Sequence, residues 1–158
     1  MSQSTPLIRH FLATLAYRTR GALRGAPASF ASFEAGHGVR TPQQLLRHMN
    51  GLLEFASGAL RTGDESYRGT PQDLTWEGET ARFYALLTEL DAELASRTPE
   101  AKMLENLLQG PLADTLTHTG QLTLLRRLAE APVAGENFRK ADIRAGRTGP
   151  EASPETEL

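Results

Sequence analysis

Asp114 and His118 stand four residues apart in the stretch 104–128, whose other repeating positions are apolar: Leu104, Leu107, Pro111, Leu122, Leu125 and Leu128. Steps of three and four residues trace one face of a helix. On that face core residues are expected where the carboxylate and the imidazole stand. Side chains four apart lie one above the other, so the two are expected to point inward together. A buried polar group without a partner costs about 1–3 kcal/mol, so such a pair in a core stripe needs a reason. A second histidine interrupts a stripe in the same way. His48 lies between Leu45 and Leu52 in a run that continues to Phe55 or Ala56 and then Ala59.

Two imidazoles and a carboxylate form a facial set of three ligands with room left for water or substrate. That is the composition of catalytic rather than closed structural zinc sites. Nickel, iron and manganese accept the same ligands. The chain has no cysteine, which excludes thiolate ligands, disulfides and a cysteine nucleophile. Thiol chemistry would therefore need a thiol carried by a small molecule. A redox-inert divalent ion acting as a Lewis acid is the expectation, with zinc first. The same residues also allow a metal-free reading, in which His48 and Asp114 form a hydrogen-bonded pair in the core.

Other polar positions are weaker candidates. Glu79 falls between Trp76 and Phe83 on an apolar line; it is either a first-turn carboxylate favoured by the helix dipole or a site carboxylate acting as base. Arg139 and Lys140, with Arg144 and Arg147, form a basic cluster that is either solvated or part of an arm facing a ligand or a second subunit. His10 and His37 read as surface and loop histidines.

Four apolar-striped stretches must position these residues. The first covers residues 5–23, with Ile8, Phe11, Leu12, Leu15, Ala16 and Leu23 on a broad face. The second opens at Thr41-Pro42 and runs to about Arg61; proline suits a first helical position. The third runs from Trp76 to about Ser96 behind a Thr75 cap, after a polar loop closed by Pro71. The fourth starts at Thr98-Pro99, and Gly110-Pro111 is expected to kink or interrupt it, leaving Asp114 near a fresh N-terminus. Between the first two stretches, residues 25–41 form a long connection of the kind that serves as a crossover. No strand-like alternation is present. An all-α four-helix bundle with a long crossover follows, and bundle cores are where metal sites are built from facing helices. Residues 1–147 are expected to form one domain and 148–158 a disordered tail.

Bulk properties exclude several roles. The 158 residues are 39% apolar and 23% charged, which suits a single soluble domain. The net charge of −2 provides no field to draw in nucleic acid, and no nucleic-acid recognition motif is present. No apolar run approaches the roughly 18–20 residues of a membrane span. The segment before Glu34 carries Arg9, Arg18, Arg20 and Arg24 without an acid, as a transit peptide would. Its helical stripe argues for a structural role, and a cytoplasmic location is expected.

The segments TPQQLLRHMNGLLEFA (41–56) and LADTLTHTGQLTLLRRL (112–128), with the helix start at Trp76–Glu79, resemble the DinB-like/YfiT-like family. The metal-binding N-terminal domain of mycothiol-dependent maleylpyruvate isomerase is a relative of that family. The resemblance extends to about residue 147. It implies a four-helix bundle, often a homodimer, that holds a divalent metal through three side chains. His48 and His118 match two of the family's ligands. Asp114 stands where most members have a histidine and the isomerase branch a glutamate. The implied activity is a metal-dependent S-transferase, hydrolase or isomerase acting on a conjugate of a small thiol such as bacillithiol or mycothiol. Arg139 or Lys140 would hold an anionic group. The alternative is a non-catalytic dimeric bundle serving as a binding or stress-response module.

Overall fold

In the computed structural model, residues 4–70 and 72–151 are described; Pro71, expected to close a loop, and residues 152–158 of the expected tail lie outside them. The elements are α1 (Ser4–Leu23), a short 3-10 turn (Ala28–Phe30), α2 (Pro42–Thr62), α3 (Trp76–Ser96) and α4 (Ala101–Leu107). A π-helical segment (Leu108–Leu112) then leads directly into α5 (Ala113–Leu128). The molecule is thus an all-helical bundle, with α4, the π segment and α5 forming one long fourth member.

Local chemistry sets the starts. Thr41 and Gln44 form a capping box at α2: the Thr41 hydroxyl accepts from the Gln44 amide, and the Gln44 side chain accepts from the Thr41 amide. The Thr75 hydroxyl accepts from the Gly78 amide at α3. Helix α2 stops at Gly63, whose φ of 72° is the left-handed conformation that glycine adopts without steric cost.

Helices α1 and α2 each pack against both α3 and α5. Consecutive α1 and α2 are therefore diagonal in the bundle, and residues 24–41 make the crossover. Phe30, fully buried, anchors that crossover against the Trp76 ring at 5.6 Å. The core between the helices includes Leu12, Leu15, Leu46, Met49, Leu53, Phe83, Leu87 and Leu90. Across α1 and α3, Arg9 donates twice to the Asp91 carboxylate, at 2.9 and 2.8 Å.

Two stripes match the sequence expectation only in part. On α2 the expected Leu45, Ala56 and Ala59 are buried together with Leu46, Met49, Leu53 and Leu60, while Leu52 and Phe55 are only half-buried. The inward face thus leans towards Met49 and Leu53, which puts His48 at its edge. On the fourth member Gly110-Pro111 interrupts the α-helix, as expected, but with a π turn in place of a break. The Ala113 amide donates to Leu108 and Gly110 carbonyls, so Pro111 is absorbed by a wider turn and Asp114 falls in the first turn of α5. One extra residue in a turn advances the helical phase by about 100°. After Leu107 and Pro111 the buried face takes in Leu112, Thr115 and Thr119 beside the expected His118, Leu122 and Leu125. Asp114 moves to the rim, and Leu128, expected in the core, is 54% exposed.

After α5 the chain lies along the bundle. Phe138 meets the Tyr17 ring edge-on, with the Arg18 guanidinium 4.0 Å from its centroid. Thr148, where the tail was expected to begin, is buried and shares a 2.8 Å hydrogen bond with Thr88.

Candidate metal centre

Helices α2 and α5 are neighbours, and His48 on the first faces Asp114 and His118 on the second. His118 Nε2 lies 3.3 Å from Asp114 Oδ1, and His48 Nε2 lies 3.7 Å from Asp114 Oδ2. The imidazole centroids are 4.9 Å apart with planes at 78°. One ligand atom from each residue lies within 4.8 Å of the others. The cluster could hold a metal ion. Bonds of ~2.0–2.2 Å to a tetrahedral ion would separate neighbouring ligand atoms by ~3.3–3.6 Å. The two carboxylate contacts fall close to that spacing, and both exceed the ~2.7–2.9 Å of a charge-assisted hydrogen bond.

The three side chains differ in surroundings. His118 is buried, with 9% of its side chain exposed, whereas His48 and Asp114 expose 35% and 45%. The site therefore sits at the rim of the core with one side open. Burial holds the His48 pKa below the usual histidine value, helped by the positive charge of Arg40 and by His118, against an opposing pull from Asp114. The His48 imidazole is thus neutral at neutral pH, with a lone pair to offer. Gln121 supplies the partner that the sequence reading missed. Its Oε1 lies 2.9 Å from His118 Nδ1. With Nδ1–H donating to that oxygen, the Nε2 lone pair faces Asp114, the arrangement in which a second hydrogen bond fixes a ligating imidazole. The His-x-x-Gln spacing, one helical turn, was the available signal.

Glu79 is placed elsewhere. It is fully buried between α2 and α3, where Oε1 accepts from Arg47 Nε at 2.7 Å and Oε2 from Asn50 Nδ2 at 2.8 Å. Both oxygens are taken, and Glu79 does not join the three-residue cluster. Arg139 and Lys140 are exposed in a turn whose Phe138 rests on α1. Neither lines the clefts that border the cluster. His37 is exposed at φ 54° between two left-handed glycines, and His10 is exposed on α1.

Two clefts flank the cluster. One of about 530 Å³ includes His118, Gln121, Leu45 and Arg40 in its walls. The other, of about 520 Å³, runs past Asp114, Thr117, Leu52, Phe55 and Pro111. No protein-family model, curated protein or solved structure matches the chain. Fold and site together define an all-helical bundle with a His–Asp–His cluster able to take a metal.

Proposed function

We propose that this chain is a DinB-like divalent-metal protein, with zinc in the His48–Asp114–His118 cluster, that acts on a small-molecule thiol conjugate as an S-transferase, hydrolase or isomerase. The observation that carries the reading is the convergence of three ligand side chains from two helices at the open rim of the core. A bound divalent ion supplies Lewis acidity that lowers the pKa of a thiol or water placed on it. The chain provides the rest. His118 is held in orientation by Gln121. His48 and Asp114 keep one side of the site accessible, and the flanking clefts accommodate two reacting molecules. The thiol comes from outside because the chain has no cysteine.

Elemental analysis of purified protein tests the metal, with about one equivalent of zinc per chain expected. A thiol-transfer screen of the zinc-loaded protein with bacillithiol and mycothiol then tests the chemistry, and a protein that holds zinc yet transfers neither thiol would restrict the reading to metal binding. The second reading is a non-catalytic dimeric module in which His48 and Asp114 serve only one another, favoured by the presence of both imidazoles within 3.3–3.7 Å of the Asp114 carboxylate. Under it, a chelator leaves the melting midpoint unchanged; a bound ion raises the midpoint.

A further inference from the structure

Three of the most exposed large apolar side chains, Val39 (52%), Leu124 (54%) and Leu128 (54%), line one and the same cleft. That cleft of about 530 Å³ reaches His118 and Gln121, so it borders the cluster on the His118 side. Arg40 also lines it. Arg40 is exposed, and among the described residues no carboxylate pairs with it. Arg47, Arg61, Arg82, Arg97, Arg144 and Arg147, by contrast, each have an acidic partner.

The backbone presents Arg40 in a defined way. Gly36, His37 and Gly38 take φ values of 80°, 54° and 74°, and the Val39 amide donates to the Gly36 carbonyl at 3.0 Å. This tight turn puts Val39 and Arg40 on the cleft wall, immediately ahead of the Thr41 capping box. A guanidinium offers a planar fork that matches a carboxylate in two parallel hydrogen bonds. Ligand sites of this size are mostly apolar, with a few polar groups that fix orientation.

We infer that Arg40 and the apolar wall of Val39, Leu124 and Leu128 form a subsite for a small carboxylic acid with an apolar body, its carboxylate on Arg40 and its reacting end at the His48–Asp114–His118 cluster. Only the placement of the reacting end rests on the metal reading above. The subsite selects anions over neutral molecules of the same length, and it does so through a residue that is not a metal ligand.

Titration calorimetry of the zinc-loaded full chain with 6-mercaptohexanoate and 6-mercaptohexan-1-ol tests this. The probes share a thiol and a six-carbon body and differ in the terminal charge. The wild-type chain is expected to bind the carboxylate about tenfold more tightly. Arg40→Gln is expected to remove that preference while leaving zinc content and affinity for the alcohol unchanged. Equal binding of the two probes by the wild-type chain, a preference that survives Arg40→Gln, or binding of neither probe overturns the subsite. If the protein takes up no zinc, the metal reading falls. The same pair titrated against the metal-free chain then decides the subsite separately, because an Arg40-dependent carboxylate preference upholds it and its absence overturns it.

Discussion

At the scale of single residues, the cluster is held by one hydrogen bond that a substitution can remove without touching a ligand. Gln121 Oε1 sits 2.9 Å from His118 Nδ1 and fixes which ring nitrogen faces Asp114. Partners of this kind are typically worth 10–100-fold in metal affinity. Gln121→Leu is therefore expected to weaken zinc binding about 10–100-fold with little change in metal-free stability, since Gln121 is exposed. Competitive titration against a zinc indicator reads the first, and a urea melt of the metal-free protein the second. Glu79 gives the opposite pattern. Its buried carboxylate accepts from Arg47 Nε and Asn50 Nδ2, so Glu79→Ala removes the acceptor of that Nε and one of the two of Asn50 and is expected to cost about 1–3 kcal/mol of folding stability. Zinc content of the folded fraction should stay at the wild-type level; loss of zinc there would return Glu79 to the site. His48, Asp114 and His118 were legible as polar interruptions of apolar stripes. Gln121 carried only its His-x-x-Gln spacing as a signal and Arg40 none, because neither interrupts a stripe, and a polar residue at an exposed position is unremarkable until its neighbours in space are known.

At the scale of elements, the end of α5 is tied to the crossover by one side chain. Arg126 is buried and donates to the carbonyls of Ala22, Arg24, Gly25 and Ala131, at 3.0, 3.1, 3.4 and 2.7 Å, with Phe30 beneath its guanidinium at 5.5 Å. These carbonyls belong to the end of α1, the start of the crossover and the segment after α5, none of which has a regular ladder to satisfy it. Arg126→Met keeps the apolar stem and removes the donors. It is expected to destabilise the protein by about 2–4 kcal/mol, read as a lowered urea midpoint; an unchanged midpoint would show that water replaces the guanidinium without loss. Helix extents followed closely from the threonine-proline starts and the apolar spacing. The phase of α5 followed in part. The three-and-four repeat carried through Pro111 puts His118, Leu122 and Leu125 in the core, where they lie. The π turn at Leu108–Leu112 adds Leu112, Thr115 and Thr119 to the buried face and leaves Asp114 half-exposed at the rim, whereas Leu128 falls outside the core.

At the scale of the whole molecule, the bundle depends on groups packed far from the site. Tyr84 on α3 is 7% exposed, and burial pushes its pKa from 10.0 up to about 12, with Arg20 opposing. The folded protein thus holds this proton more tightly than the unfolded chain. Stability from Tyr84 is complete below pH 10 and is lost as pH rises towards 12, by up to about 2–3 kcal/mol. Urea midpoints at pH 9 and pH 11 should fall in the wild type and fall less in Tyr84→Phe, and an equal fall in both would remove Tyr84 as the cause. The helix order, with α1 diagonal to α2, also has a functional consequence. It makes α2 and α5 neighbours, which brings His48 to the Asp114–His118 pair.

The central claim is that the three side chains hold an ion. The most direct measurement is the zinc content, by elemental analysis, of wild-type protein and of His48→Ala and His118→Ala purified in parallel. About one equivalent in the wild type, with loss of most of it in both variants while circular dichroism still reports a folded bundle, is the predicted result. A wild-type chain without divalent metal, or variants that keep it, would contradict the account.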